Sequence, residues 1–254
     1  MSLKTFWCLW YFLFGLCIGS FLNVVIYRLP LNLSVARGRS FCLACKHPLS
    51  AADLVPVFSF LFLKRKCRYC GAPISWRYPL VELLTGLLFA LCCFVYGYGA
   101  YSALLCLICC VLIVAWFIDL DHTYIPDRLH VILLGAALLS YFIGPEISLT
   151  SRFLGALILG GGMFAIAWFT NGGIGGGDIK LMACCGLLFG WQRMIPAFFF
   201  AYLLAALRWV PAYLAKKIPE HTEIPMAPYL AASVMLFALF GQRFIAFYLS
   251  LFTA

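Results

Sequence analysis

Eight apolar runs, separated by short polar breaks, constrain this chain more than any other feature. They fall at Phe6 to Tyr27, Leu80 to Tyr96, Tyr101 to Ile118, Leu129 to Ile143, Phe153 to Thr170, Ile179 to Gly190, Ile195 to Ala215 and Ala227 to Leu249. Crossing a bilayer as an α-helix takes roughly 20 apolar residues, and backbone within hydrocarbon must satisfy its own hydrogen bonds. The expectation is an all-α polytopic membrane protein with about eight transmembrane helices. Composition agrees, since 65% of the 254 residues are hydrophobic and only 11% charged, far from a soluble average. No small-residue cleavage site follows the first run, so it reads as a retained helix and not a removed leader. The sixth run is short for a full crossing, which predicts tilt, local thinning or a partly re-entrant path.

The one long polar stretch, Arg28 to Pro79, carries nine of the eighteen basic residues against the single acid Asp53. The positive-inside rule makes it cytoplasmic. Counting on by alternation brings the Asp119 to Arg128 turn, the glycine-rich turn near residue 175 and the Lys216–Lys217 loop to that same side. Gly97 to Gly99, Gly144 to Thr150 and Trp191 to Met194 then lie opposite. The organisation expected is a first transmembrane helix (residues 1–27), a cytoplasmic four-cysteine loop (28–79) and a multi-helix core (80–254), with no internal repeat. Within the loop, Cys42, Cys45, Cys67 and Cys70 form two C-x2-C pairs separated by 21 residues. Four thiolates at that spacing suit one tetrahedral zinc, whose binding would hold together a loop too short to build a core. Two redox dithiols are the alternative reading. The other nine cysteines lie in apolar runs, where a thiol packs as a small hydrophobe.

Two polar breaks carry the chemistry. Asn171 to Lys180 reads NGGIGGGDIK, a place where a helix must stop and a carboxylate, Asp178, begins the next one. Ile118 to Asp127 reads IDLDHTYIPD, with Asp119 closing the third run at the depth where Asp178 opens the sixth. Carboxylates at a bilayer are costly and mark function by default. Two of them brought together would share one proton, and so supply a base for water and an acid for a carbonyl. Asp119 is favoured as the partner of Asp178. Asp127, between Pro126 and Arg128, reads as a helix cap, Asp121 stays open, and His122 reads as a loop histidine. Glu82, one turn inside the second run, must pair or stay protonated; it is read either as structurally partnered or as a candidate for binding a methyl donor or substrate.

These residues resemble a known family. Gly175, Gly176, Gly177 and Asp178, followed by Ile179 and Lys180, match the G-x-G-D motif of intramembrane aspartyl proteases. With IDLDHTYIPD, the four-cysteine loop, Gly19 to Pro30 (GSFLNVVIYRLP) and Arg77 to Gly86 (RYPLVELLTG), the chain is similar to the type IV prepilin peptidases over nearly its whole length. The resemblance implies an enzyme of the bacterial cytoplasmic (inner) membrane that removes the basic leader of type IV prepilins or type II secretion pseudopilins after a glycine. It also implies, in many members, N-methylation of the new terminus with S-adenosylmethionine. Asp119 and Asp178 fall on the family's catalytic aspartates, Gly175 to Gly177 and Lys180 on its active-site loop, and Cys42, Cys45, Cys67 and Cys70 on its zinc tetrad. The chain departs from the family at Asp53 to Pro56 (DLVP for DNIP) and Pro225 to Pro228 (PMAP for PFGP), where Ala227 replaces a glycine near the substrate groove. Membrane lipid is an expected partner, nucleic acid is not, and no oligomeric state is assigned. A carboxylate-pair transporter and a zinc-bearing adaptor of a secretion machine are the competing readings. The first predicts pseudo-symmetric halves that the sequence does not show, and the second leaves the GGGD turn unexplained.

Overall fold

A computed structural model describes residues 3–216 and 223–251; Lys217 of the expected Lys216–Lys217 loop lies outside the described residues. Ten α-helices follow one another in the described chain: α1 (Leu3–Arg28), the single-turn α2 (Phe58–Phe62), α3 (Arg77–Tyr96), α4 (Ala100–His122), α5 (Asp127–Ile143), α6 (Leu149–Ala156), α7 (Gly162–Phe169), α8 (Gly176–Phe189), α9 (Trp191–Leu214) and α10 (Ala227–Ser250). A π turn, Leu157–Gly161, joins α6 to α7 in one continuous path. Each of the eight apolar runs thus has its helix, and no strand is present among the described residues. Six of these paths are long and apolar enough to cross a membrane. The other two, α5 at 17 residues and α8 at 14, are shorter, as the sequence led one to expect for the sixth run.

The chain divides into two compact units, residues 1–114 and 115–254. In the first, α1 lies against α3 at a spacing that only glycine permits. A Cβ on Gly19 would come within 2.6 Å of the Glu82 Cα. Asn23 fastens the same pair of helices by donating to the Tyr78 carbonyl at 3.2 Å. Val81, Cys92 and Ile113 are completely buried here.

In the second unit α8 sits at the centre of the packing, with Leu181, Met182 and Cys185 fully buried. Its crossing with α6 is again set by glycine, since a Cβ on Gly155 would lie 2.7 Å from the Gly186 carbonyl oxygen. Gly160 faces Ala183 of α8 in the same way, whereas Gly162 opens onto empty space. Only some of the glycines in this stretch are therefore used for close approach. Buried Arg152 finds its partners in the oxygens at the C-terminal ends of α5 and α8, donating to Ser140 Oγ at 2.7 Å and to the Leu187 carbonyl at 3.0 Å. A cation at two helix C-termini offsets their partial negative charge. The Ser233 hydroxyl donates to the Ala197 carbonyl and ties α10 to α9.

Candidate active site and metal centre

The second unit brings three helix ends together around two carboxylates. Asp119 lies in the last turn of α4 and is 5% exposed. Asp178 lies in the first turn of α8, a position where the helix dipole favours an acid. The two are near enough for the charge of one to act on the other. The third end is that of α10, whose Ala227 N–H donates to Asp119 Oδ2 at 2.9 Å, joined by the amide of Met226. Ala227, which stands where the family pattern has glycine, is thus a fully buried residue whose backbone holds Asp119. Asp178 Oδ1 is buried and has no hydrogen-bond partner among the described residues. On α9, Tyr202 is close enough to feel the charge of Asp178.

The glycines before Asp178 differ in what surrounds them. A Cβ on Gly175 would lie 3.3 Å from Asp178 Oδ2, and one on Gly177 would lie 3.1 Å from the Ile125 Cβ, while Gly176 faces nothing within 4 Å. The middle position of the G-x-G-D motif is therefore free, and the outer two are crowded by the carboxylate and by the residue just ahead of α5.

Lys180 and Asp127 meet across the same site. The Lys180 Nζ donates to Asp127 Oδ1 at 2.7 Å. Asp127 is the first residue of α5 and makes no N-cap bond, that place being taken by Pro126, so its role differs from the cap expected from sequence. His130, one turn further on, is 5% exposed and places Nε2 3.1 Å from the Gly177 carbonyl oxygen. Nothing in the sequence marked it, because the contact joins residues 47 positions apart. Asp121 and His122 are exposed at the end of α4.

In the first unit the four loop cysteines converge, with Sγ atoms all within 4.8 Å of one another, so that they could hold a metal ion. Each pair sits in a knuckle of the same design. Bridges pair Phe41 with Pro48 and Lys66 with Pro73. The Cys42 N–H donates to the His47 carbonyl at 3.0 Å, and the Cys67 N–H to the Ala72 carbonyl at 2.8 Å. After the second cysteine of each pair comes a left-handed residue, Lys46 (φ 60) or Gly71 (φ 72). This is a repeat at an offset of 25 residues, contrary to the expectation of none. The backbone amide of Cys45 directed at Cys42 lowers that thiol to about 7, which readies it as a thiolate ligand. The imidazole of His47 packs on Tyr69 with centroids 3.8 Å apart, joining the knuckles. Asp53 fastens them to the intervening segment. Burial alone would raise its pKa, yet hydrogen bonds from Ser50 N (3.0 Å) and Oγ (2.8 Å), Arg68 Nε (2.7 Å) and Tyr69 Oη (2.9 Å) hold it well below the usual carboxylate range.

Glu82 is paired through Oε2 with the Val57 N–H at 2.7 Å, and Ser20 also contacts it. Val57 is held at φ 62, an uncommon conformation for a β-branched residue. Glu82 lines a cavity of about 650 Å³ together with Ser20, Asn23, Arg28, Pro56 and Tyr78 among others.

Residues 13–96 match the bacterial peptidase A24 N-terminal domain, and residues 106–210 match the type IV leader peptidase family. The chain is similar to the "Prepilin leader peptidase/N-methyltransferase" of Bacillus subtilis (strain 168), at 37% identity over 94% of this chain and 97% of the relative. That of Aeromonas hydrophila is 36% identical over 94% and 92%, and that of Myxococcus xanthus (strain DK1622) 39% identical over 77% and 60%. No solved structure matches. A likeness that runs through both units, and through more than nine-tenths of the Bacillus and Aeromonas relatives, carries the conclusion that the chain belongs to the type IV leader peptidase family.

Proposed function

We propose that Asp119 and Asp178 are the catalytic pair of a membrane aspartyl endopeptidase that removes the basic leader of type IV prepilins or type II secretion pseudopilins, after a glycine, at the cytoplasmic face of the inner membrane. The observation that carries this reading is the meeting of the two carboxylates at helix ends, in a chain of the leader peptidase family. Family membership does not favour a transporter or an adaptor. Two carboxylates that feel each other's charge cannot both ionise cheaply, so the pair holds one proton. Asp119, with backbone amides on Oδ2, is suited to carry the charge; Asp178, with a buried oxygen that has no partner among the described residues, is suited to carry the proton. The anion takes a proton from the attacking water while the protonated member hydrogen-bonds the scissile carbonyl oxygen. The tetrahedral intermediate then collapses as a proton passes to the leaving amine. Of the residues expected in an active-site loop, Gly175 caps α8 while Gly176, Gly177 and Lys180 stand in its first turns on either side of Asp178.

Cys42, Cys45, Cys67 and Cys70 would hold zinc as thiolates. Bound there, the metal supplies folding free energy to the loop and takes no part in hydrolysis. The second half of the relatives' printed name supports N-methylation of the new terminus with S-adenosylmethionine. A cavity of about 650 Å³ is in the range of small-molecule sites, and Glu82 on its wall remains our candidate for contacting the methyl donor.

The dyad is tested with Asp119→Asn and Asp178→Asn. The amide keeps the shape and loses the exchangeable proton, so each variant should accumulate in the membrane and lose at least about 10³-fold in leader cleavage. Cleavage near the normal rate by either one would remove that residue from the mechanism.

A further inference from the structure

We propose that His130 is a positioning residue for Asp178, acting through the backbone of the glycine turn; the inference rests on the assignment of Asp178 as a catalytic group. The first turn of α5 grips the first turn of α8 at two points that bracket Asp178 in sequence. On one side His130 Nε2 lies 3.1 Å from the carbonyl oxygen of Gly177, the residue immediately before Asp178. On the other, Asp127 holds the Nζ of Lys180, two residues after it, at 2.7 Å. The two grips stand side by side: His130 Nδ1 is 3.4 Å from the same Asp127 oxygen, with no hydrogen bond between them.

The chemistry of the contact fixes its direction. A carbonyl oxygen can only accept, so Nε2 must carry the proton for the bond to exist. The side chains differ in their surroundings as well as their partners. Lys180 and Asp127 are 56% and 73% exposed, whereas the His130 side chain is 6% exposed. A solvated ion pair contributes little, and a buried hydrogen bond to a carbonyl costs the desolvation of that carbonyl when it is lost. His130 is therefore the stronger of the two grips. It also explains how a turn rich in glycine, with few side chains of its own to pack, keeps Asp178 aimed. The remaining wall of the turn is Ile125 against Gly177, an apolar contact that limits approach and gives no direction.

The experiment compares His130→Gln, His130→Met, Asp119→Asn and Asp178→Asn in detergent or liposomes with a prepilin substrate. Gln can donate to the Gly177 carbonyl; Met fills a similar volume and cannot. With the grip lost, kcat should fall by about tenfold or more in the Met variant at an unchanged KM, while Gln stays within about threefold of wild type. Thermal unfolding accompanies each assay, and a Met variant that does not fold is replaced by His130→Leu. Wild-type kcat in the apolar variant, or equal impairment of the Gln and apolar variants, overturns the proposal. The two aspartate variants separate the failures. If both are inactive while the apolar His130 variant is normal, the dyad stands and the positioning role falls; if Asp178→Asn still cuts, the reading beneath it falls.

Discussion

The three glycines ahead of Asp178 look alike in the sequence and are not equivalent in space. Gly175 is crowded by the Asp178 carboxylate and Gly177 by Ile125, while Gly176 faces nothing. Ala at 176 should therefore leave cleavage within about twofold of wild type, since Ala is a better helix former than Gly at the start of α8. Ala at 175 or 177 must displace a neighbour by a few tenths of an ångström, and should lower kcat by roughly tenfold, as misplaced catalytic groups do. Side-by-side kinetics of the three alanine variants decides this, and equal effects at all three positions would contradict it. A second residue-scale prediction concerns Asp53, whose folded pKa is depressed. It stabilises the loop fully above its unfolded value of about 3.9, and that contribution is lost only as pH falls through the lower folded value. Asp53→Ala should cost about 1–3 kcal/mol near neutral pH by leaving its donors unpaired, with the difference from wild type vanishing in strong acid. Limited proteolysis of the loop across pH measures it. Asp53 was noticed in the sequence only as the lone acid in a basic stretch; its four donors come from Ser50, Arg68 and Tyr69, and that convergence has no local signature.

At the scale of elements, the apolar runs announced the helices because a bilayer admits little else. They did not announce the π turn at Leu157–Gly161, since nothing in LILGG distinguishes an extra residue per turn from an ordinary helix. The short α8 was legible, yet its packing was not. Gly186 meets Gly155 across 31 positions of chain, and Gly162, in the same glycine run, meets nothing. Substituting Val for Gly155 should destabilise the second unit by about 1–3 kcal/mol or more through overpacking, whereas Val for Gly162 meets nothing and should be neutral or slightly stabilising, since Val is the better helix former. Thermal melts in detergent separate the two. The knuckles were visible as C-x2-C pairs, but the 25-residue offset went unread, because in sequence only the cysteines, the closing prolines and Ser50 with Ser75 repeat. Replacing Cys45 and Cys70 together should release about one metal per chain and open the segment from Arg37 to Arg77 to proteolysis. Elemental analysis of the purified protein checks it, and disulfide pairing without metal would favour the redox alternative.

For the whole molecule, the question is sidedness, and it turns on the two short helices. An α8 of 14 residues rises about 21 Å, against roughly 30 Å of hydrocarbon. The 17 residues of α5 rise about 26 Å by the same measure. If α5 failed to cross, the turn bearing Asp178 would no longer share a side with the turn after Asp119; if α8 failed, the slip would fall only on the connections after it. The site opposes such a slip. Asp119 closes α4 and Asp178 opens α8, so the two ends that carry the acids meet at one level, and the path from Thr123 through α5, α6, α7 and Asn171 leaves that level and returns to it. A path that leaves and returns crosses an even number of times, which puts the two turns on one side, and the bilayer adapts to a short helix at a fraction of a kcal/mol per ångström. Basic residues of this unit stand at both ends of its helices, Lys180 beside the site and Arg152 and Arg193 at the opposite end, so the level is set by the carboxylates and not by charge. Reporter fusions should therefore read cytoplasmic in the Arg28 to Pro79 loop, at Thr123 and at Gly173, and periplasmic at Gly99 and at Pro145. A periplasmic signal at Gly173 with a cytoplasmic one at Thr123 would separate the two carboxylates across the membrane and end the case for a shared active site.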